Sequence, residues 1–186
     1  MPTLNVFNNV SLDGYFCGSE GDLSWAYQDP HDDEWNAFVA NNAKGGGTLV
    51  FGRITYQMMA GYWPTASAAQ QNPSLAKYMN AIPKVVFSRT MTEAAWSNTQ
   101  LLRGDLIEEV RRLKGEPGTG LTILGSGSLI SQLTAARLID QYQVVVKPLV
   151  LGQGRSMFHG IGNRVALRQT GARAFGNGNV LLSYAL

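Results

Sequence analysis

An apolar run that breaks on glycines and continues at once as a helix constrains this chain more than any other feature. The run reads Leu-Thr-Ile-Leu-Gly-Ser-Gly from Leu121 to Gly127, and an apolar helical pattern follows from Leu129 to Leu138. The backbone N–H groups that open such a helix lie at its positive end, where pyrophosphate binds well. The pattern therefore predicts a buried strand, a phosphate-binding turn at Gly125-Ser126-Gly127-Ser128, and a helix. The turn lacks the third glycine of the dinucleotide fingerprint, so tight strand-to-helix packing without a ligand is the alternative.

Two further apolar strands also run into polar turns. Thr48 to Phe51 precedes Gly52-Arg53-Ile54-Thr55, and Lys84 to Phe87 precedes Ser88-Arg89-Thr90. Since parallel strands end at one edge of a sheet, the three turns together predict a single anionic nucleotide along that edge. An arginine in solvent and a simple polar strand end are the alternative interpretations of the two upstream turns.

The predicted phosphate ligands in these two turns are Arg53, Thr55, Ser88 and Arg89, with Gly52 allowing the first turn. Arg53 and Thr55 stand at the start of a predicted helix, and a guanidinium binds phosphate through two parallel hydrogen bonds. If the ligand carries a ribose 2′-phosphate, Arg89 with Ser88 would be its natural receptor.

The order of the predicted elements indicates an α/β fold. The chain has 186 residues, of which 45% are hydrophobic, enough for one buried core and one domain spanning residues 1–186. Strands alternate with helices through the first three quarters, which predicts a mostly parallel central sheet with helices on both faces. Near the end, Gly176-Asn177-Gly178-Asn179 separates two apolar segments. Asn-Gly in that setting predicts an antiparallel C-terminal hairpin.

Helix boundaries are marked by capping residues and breakers. Asp29 or Pro30 would start the first helix, which Gly45-Gly46-Gly47 ends. Further helices are predicted from Arg53 to Gly61, from Asn72 to about Ala81, and from a cap at Asp105 to Lys114.

Composition argues against several classes of function. The net charge is only +2, and the densest basic run, residues 111–114, follows two glutamates, which is typical of a solvated helix face rather than a nucleic-acid site. The single cysteine, Cys17, fits a reducing compartment. No signal-peptide pattern opens the chain and no apolar run approaches the length of a membrane span. We therefore expect a cytoplasmic protein that binds neither nucleic acid nor membrane.

Acidic residues near the first predicted helix are the candidate proton donors. Asp32, Asp33 and Glu34 lie in its first turn, where acids also stabilise the helix dipole without any catalytic role. Glu34 stands at the border of an apolar face, and burial there would raise a carboxyl pKa toward neutrality. Asp13 precedes a glycine and is most simply explained as part of a turn. The candidate catalytic residues are Glu34, Asp33 and Asp13.

Aromatic residues offer a surface for a planar substrate. Trp25, Tyr56, Tyr62 and Trp63 would form a wall against such a ring, although core packing explains some of them equally well. His31 and His159 do not have the spacing of metal ligands, so no metal site is predicted.

Five segments in the same order resemble the dihydrofolate reductase-like superfamily, in particular the reductase half of bifunctional riboflavin-biosynthesis deaminase/reductases. The segments are residues 11–16, residues 52–56 with Tyr62-Trp63-Pro64, residues 85–90, residues 125–128, and residues 138–142 followed by residues 148–154. They extend over nearly the whole chain and imply a dihydrofolate reductase-like fold. One departure concerns the substrate: residues 55–64 lack the acid-acid-proline and arginine pattern that holds the ribose phosphate in the riboflavin reductases.

The resemblance implies NADPH as the cofactor, with its adenosine phosphate near Arg53, Ser88 and Arg89 and its pyrophosphate between the turns 52–55 and 125–128. It also implies that the loop after Asp13 closes over the nicotinamide, and that Glu34, or next Asp33, holds the acceptor ring. The expected activity is hydride transfer to a small planar heterocycle such as a pteridine, a pyrimidine or a riboflavin-pathway intermediate. A non-catalytic ligand-binding domain on the same fold is the alternative. Related domains often pair, so the apolar region 138–151 predicts a homodimer.

Overall fold

The computed structural model describes residues 2–26, 32–43 and 47–186. Its strands are β1 (Leu4–Ser11), β2 (Tyr15–Cys17), β3 (Thr48–Gly52), β4 (Lys84–Phe87), β5 (Thr99–Leu102), β6 (Leu121–Leu124), β7 (Gln141–Lys147), β8 (Arg155–Ser156), β9 (Arg168–Ala174) and β10 (Val180–Ala185). Its α-helices are α1 (Asp33–Ala43), α2 (Arg53–Tyr62), α3 (Ala66–Gln71), α4 (Pro73–Ala81), α5 (Leu106–Gly115) and α6 (Gly127–Ala135).

The sheet topology confirms the predicted fold class. Eight strands form one sheet in the order β5-β4-β3-β6-β1-β7-β10-β9. The first six strands in this order pair parallel to one another, so their carboxyl ends share one edge. Only β10 and β9 are antiparallel to their neighbours. A separate two-stranded ribbon, β2 with β8, was not expected from the sequence.

The C-terminal hairpin forms where Asn-Gly predicted it. Phe175 N donates to Asn179 O at 2.9 Å, and Gly178 N donates to Phe175 O at 3.0 Å. Gly178 has a φ of +84°, a conformation that glycine adopts without strain. The turn thereby places β10 against β7, on the edge of the parallel part of the sheet.

Most of the predicted helices are present near their expected bounds. Asp105 caps α5 because its carboxylate accepts hydrogen bonds from the Ile107 and Glu108 N–H groups. Pro73 occupies the first turn of α4, where its missing N–H costs nothing. The predicted start of the first helix, at Asp29 or Pro30, lies outside the described residues, as do Gly45 and Gly46. Helix α3 was not expected from the sequence.

Helices cover both faces of the sheet, as predicted. Successive residues of a strand face opposite sides, and β1 shows this: Val6 packs with residues of α5 and α6, while Phe7 packs with Trp35 of α1. On the face of α1, a second group of buried residues joins β3 and β4 to α2 and α4. No helix in the described part of the chain is both long and apolar enough to span a bilayer.

Candidate functional site

The turns after β3 and β6 are hydrogen-bonded to each other at the carboxyl edge. Ser126 Oγ accepts from Gly52 N at 2.9 Å and donates to Leu124 O at 3.1 Å. Ser126 N donates to Thr55 Oγ1 at 3.1 Å. Gly125 must be glycine here, because its φ is +58° and a Cβ atom would lie 2.9 Å from Thr55 Cγ2. The two turns predicted to share one phosphate ligand are therefore held as a single unit.

Helices α2 and α6 begin at this unit, and the first residues of α6 line the space above it. Ser126 O accepts from the N–H groups of Leu129 and Ile130 at 2.9 and 3.1 Å. The N–H groups of Gly127 and Ser128, in the first turn of α6, have no acceptor within their own helix. These donors at the positive end of α6 can bind an anion.

A cleft of about 820 Å³ opens over these turns. It is lined by residues 52–55, 87–90, 126–129 and 154–156 together with Phe16, Cys17, Gly21, Leu23, Met58, Ser131 and His159. Arg53, Arg89 and Arg155 contribute positive charge, whereas no aspartate or glutamate is among the described residues that line it. The chemistry of this lining therefore favours a ligand with several negative charges.

The arginine after β4 is available for such a ligand. Arg89 is exposed and makes no hydrogen bond or ion pair with a described residue. Ser88 beside it accepts from the N–H groups of Thr90 and Met91 at 3.2 and 3.0 Å, which fixes the turn. Arg53 forms only a hydrogen bond of 3.3 Å to Gln57 on the surface of α2. Both guanidinium groups can rotate to a phosphate at little cost.

The ribbon of β2 and β8 covers the other side of the cleft. Phe16 of β2 lies so close to Gly127 that a Cβ atom on the glycine would be 2.5 Å from Phe16 Cε1. Arg155 of β8 lies beside Cys17, with Nη2 3.7 Å from Sγ. Its strand β2 belongs to the loop after Asp13 that is predicted to close over a bound nicotinamide, whereas β8 comes from a distant part of the chain.

The sequence interpretation did not include Phe16, Arg155 or His159 in the site. Arg155 follows β2 by more than a hundred residues and meets it only through the ribbon, so no local pattern pointed to it. The segment that comes closest to Arg155 in the resemblance to the dihydrofolate reductase-like superfamily is residues 148–154, which end immediately before it.

The aromatic residues predicted to face a substrate lie elsewhere. Tyr56 is only 3% exposed, and its hydroxyl accepts from Trp96 N at 2.9 Å in the core beneath α2. Trp63 Nε1 donates to Met59 Sδ at 3.2 Å, and its ring packs against Tyr62. Trp25 Nε1 donates to Asp22 O, next to the loop that precedes α1. The structure does not bring these rings together as one wall, and none of them is among the described residues that line the cleft.

The three candidate proton donors also lie outside the lining of the cleft. Glu34 is 48% exposed in its side chain and accepts from Gly176 N at 3.0 Å and from Arg173 Nη2 at 2.9 Å. These partners lower the pKa of Glu34, with the Gly176 amide as the largest cause, which is opposite to the expected rise. Asp33 is exposed in the first turn of α1.

Asp13 has a structural position in the turn after β1. Its carboxylate accepts from Leu151 N at 3.1 Å and from Gly152 N at 2.8 Å, joining the turn to the segment after β7. The Ser11 hydroxyl and these two amides lower its pKa. Within the described residues, no group of three or more His, Cys, Asp and Glu side chains is arranged to hold a metal.

Comparison with models of protein families identifies the family of this chain. The family model of the RibD C-terminal domain matches residues 2–181, nearly the whole chain. The chain belongs to the RibD C-terminal domain family. The resemblance drawn from residues 11–16, 52–56, 85–90, 125–128 and 138–154 is therefore confirmed.

Two curated relatives of this RibD C-terminal domain come from Bacillus subtilis. The uncharacterized protein YyaP is 30% identical over 175 residues, which cover 94% of this chain and 90% of YyaP. The uncharacterized protein YwjB is 25% identical over 167 residues, covering 90% and 88% of the two chains. Both relatives therefore match along almost their full length.

Solved structures share the fold of this RibD C-terminal domain at lower identity. A putative riboflavin biosynthesis protein from Shewanella sp. PV-4 superposes with a TM-score of 0.75 at 22% identity, covering 98% of each chain. A pyrimidine reductase-like protein from Corynebacterium diphtheriae gives 0.64 at 13% identity over 99% of this chain and 91% of its own. A Thermotoga maritima deaminase/5-amino-6-(5-phosphoribosylamino)uracil reductase gives 0.69 at 14% identity, with 99% of this chain matching 56% of that one.

Proposed function

We propose that the protein is an NADPH-dependent reductase that transfers a hydride to a small planar heterocycle. The observation that carries the proposal is the lining of the cleft, where three arginines and the start of α6 face one space and no described residue supplies a carboxylate. NADPH carries a pyrophosphate and a ribose 2′-phosphate, which is the kind of charge that this lining attracts. The residues present therefore fit the cofactor.

Particular residues would hold the two phosphate groups. The Gly127 and Ser128 amides and the Arg53 guanidinium would bind the pyrophosphate, since they face the space above the joined turns. Arg89 and Ser88 would bind the 2′-phosphate at the end of β4. The bound cofactor supplies a hydride from C4 of its nicotinamide. Phe16 and Cys17, on the ribbon across the cleft, would exclude water from the reacting ring.

Family membership supports the same reaction class. The chain belongs to the RibD C-terminal domain family, and a pyrimidine reductase-like protein and a deaminase/reductase share its fold. The acceptor is proposed to be a pteridine, a pyrimidine or a riboflavin-pathway intermediate. Homodimerisation and a cytoplasmic location stay predictions.

A non-catalytic binding domain is the second candidate. It is favoured by one observation: Glu34, Asp33 and Asp13 all lie outside the described lining of the cleft. Such a domain would bind the nucleotide and a planar ligand without consuming the nucleotide.

Binding and turnover experiments separate these candidates. Calorimetric titration with NADPH should give one site per chain, and a panel of pteridines, pyrimidines and flavins should then contain a compound that consumes NADPH. Binding without consumption across the panel would favour the second candidate. Failure of NADPH to bind would contradict both.

A further inference from the structure

A row of buried polar side chains crosses the same edge of the sheet on the face of α1. The register pairs Ser11 of β1 with Lys147 of β7, and Val146 with Val180 of β10. One further step along the antiparallel pair brings Asn179 opposite Lys147. The ring of Trp35 in α1 covers the row, with its centroid 5.3 Å from Lys147 Nζ.

Polar atoms in this row lack partners. Lys147, Asn179 and Trp35 are 4%, 3% and 2% exposed, and Lys147 Nζ makes no hydrogen bond or ion pair with a described residue. Three further side-chain atoms are fully enclosed and have no hydrogen-bond partner among the described residues. They are Trp35 Nε1, Asn179 Nδ2 and Asn9 Oδ1. Asn9 lies one pleat before Ser11 on β1, beside Val145. We refer to Asn9, Trp35, Lys147 and Asn179 as the Lys147 cluster.

So many unpaired buried groups in one place are unusual in a folded protein. Asn9 Oδ1, Trp35 Nε1 and Asn179 Nδ2 lose water on folding and gain no hydrogen bond from a described residue, while Lys147 Nζ gains only the face of the Trp35 ring, so the cluster carries a cost. Groups of this kind are retained where a ligand satisfies them, and they concentrate at functional sites. The row lies at the carboxyl edge, where ligands bind in open α/β sheets.

The Lys147 cluster is within reach of the arginine-lined cleft. Turn 125–128 follows β6, and β6, β1 and β7 are consecutive strands of the sheet. Strands lie about 4.8 Å apart, so the end of β7 is about 10 Å from the end of β6. A ligand at the cluster would therefore lie beside one that extends along the cleft.

We propose that the Lys147 cluster binds the acceptor ring and that Lys147 stabilises negative charge on a ring carbonyl oxygen. The proposal rests on the proposed reductase function. The cluster offers three kinds of donor, from Lys147, Asn179 and Trp35, and one acceptor, Asn9 Oδ1. This pattern matches a cyclic lactam, in which a carbonyl oxygen stands next to a ring N–H.

Lys147 has a clear chemical task in that arrangement. A hydride that adds to a ring carbon conjugated with the carbonyl moves an electron pair onto the oxygen, which becomes an enolate. The Lys147 ammonium stabilises the enolate and transfers a proton to it, and the neutral amine takes a proton back from water. The ring gains one hydride and one proton in total, and two electrons leave the reduced nicotinamide that the proposed function supplies.

Burial also prepares Lys147 for proton transfer. Desolvation lowers the pKa of Lys147 to about 8, while the Asp32 carboxylate at the start of α1 acts in the opposite direction. A donor whose pKa lies near the working pH transfers protons efficiently in both directions.

Calorimetry with uracil tests the cluster directly, because uracil presents lactam edges in a single small ring. Pyrimidine, which has no carbonyl group, is the control ligand. The variants are Lys147→Met, Lys147→Arg and the control Lys77→Met, whose side chain is exposed on α4. Fluorescence of the native protein and of Trp35→Phe reports whether the ligand reaches Trp35.

We expect the native protein and Lys77→Met to bind uracil and not pyrimidine, with a change in emission that Trp35→Phe lacks. Lys147→Met should bind uracil about tenfold or more weakly, since a charge-assisted hydrogen bond is lost, and Lys147→Arg should recover part of the affinity. Equal uracil affinity in the native protein and Lys147→Met, or no uracil binding to either, would overturn the inference.

NADPH titration of the same samples distinguishes this inference from the proposed function. Lys147→Met should keep the native affinity for NADPH, because the arginine-lined cleft is unchanged. Uracil binding that depends on Lys147 in a protein that does not bind NADPH would support the cluster and contradict the reductase. NADPH binding and turnover with no role for Lys147 in uracil binding would do the reverse.

Discussion

The two ends of the carboxyl edge differ in how their polar groups are used. At the arginine-lined cleft, Ser126 and Thr55 bind each other's turns, and Arg89 faces open space with no described partner. At the Lys147 cluster, the polar groups are enclosed beneath α1 and several have no partner. In the proposed function, the first end would bind an anion on an open surface, and the second would bind a ligand whose own groups complete the hydrogen bonds of a desolvated cluster. This difference matches the separate needs of cofactor phosphates and of a reacting ring.

The largest effect on stability is expected from removing the buried charge of the Lys147 cluster. Burial lowers the pKa of Lys147 from 10.5 to about 8. Lys147→Met should therefore raise the free energy of unfolding at neutral pH by about 3 kcal/mol, because the pKa falls by roughly two and a half and each whole pKa unit corresponds to about 1.4 kcal/mol. Denaturant titration measures it, with Lys77→Met as the control.

The sign of the pH dependence sharpens that prediction. The folded state binds fewer protons than the unfolded state between the folded pKa of about 8 and the unfolded value of 10.5. The native protein should gain stability from this group as the pH rises through that window, so the advantage of Lys147→Met should shrink there. A constant difference at all pH values would show that Lys147 is not desolvated in the folded protein.

The next largest effect on stability is expected from adding a side-chain atom at Gly127, where Phe16 packs against the start of α6. In Gly127→Ala the new Cβ atom would lie 2.5 Å from Phe16 Cε1, so the ring must move. We expect a loss of about 1–3 kcal/mol in stability from overpacking. NADPH affinity should also fall, measured by calorimetry. Gly162→Ala is the control, since nothing lies within 4 Å of its Cβ position, and an equal loss in that variant would contradict the explanation.

Removing a hydrogen bond between the turns 52–55 and 125–128 should lower the free energy of unfolding by less. Thr55→Val removes the acceptor of the Ser126 N–H at 3.1 Å while it keeps the shape of the side chain. The cost should be about 1–2 kcal/mol, because a partly buried donor loses its partner. Thermal unfolding measures it. Thr122→Val, on β6, is the matched control, and a destabilisation of the same size there would rule out the role of the turn contact.

The smallest effect is expected for Glu34→Gln. The Glu34 carboxylate is held by Gly176 and Arg173 outside the described lining of the cleft. Turnover with any acceptor that the native protein reduces should therefore stay close to native. The pKa of Glu34 is lowered, so its stabilising contribution is complete above its ordinary value of 4.5 and is lost as the pH falls through the folded value. A strong fall in turnover would restore Glu34 as the proton donor.

The contrast between the arginine-lined cleft and the Lys147 cluster also explains which parts of the structure could be predicted from the sequence. The turns 52–55 and 125–128 consist of neighbouring residues with local requirements, such as the positive φ of Gly125, so their positions followed from short motifs, although the hydrogen bonds that join them did not. The parallel pairing of most strands followed from the alternation of strands and helices, and the hairpin followed from Asn-Gly, whereas the order of the strands was not predicted.

The Lys147 cluster depends instead on contacts between distant segments. Glu34 meets Arg173 across 139 positions of sequence, and Lys147 meets Trp35 only because β7 lies beneath α1. A lysine at the end of an apolar strand looks like an ordinary boundary residue in the sequence. Similarly, Tyr56 could be a wall or a core residue until the position of Trp96 was known.

The relative affinity for NADPH and NADH tests the central claim most directly, because the two cofactors differ only in the 2′-phosphate. Calorimetry should show that the native protein binds NADPH about 10–100-fold more tightly, the value of one charge-assisted contact. Arg89→Ala should reduce that ratio with little effect on stability, and Arg164→Ala, an exposed residue outside the cleft lining, should preserve it. Equal affinities for NADPH and NADH in the native protein would contradict the account.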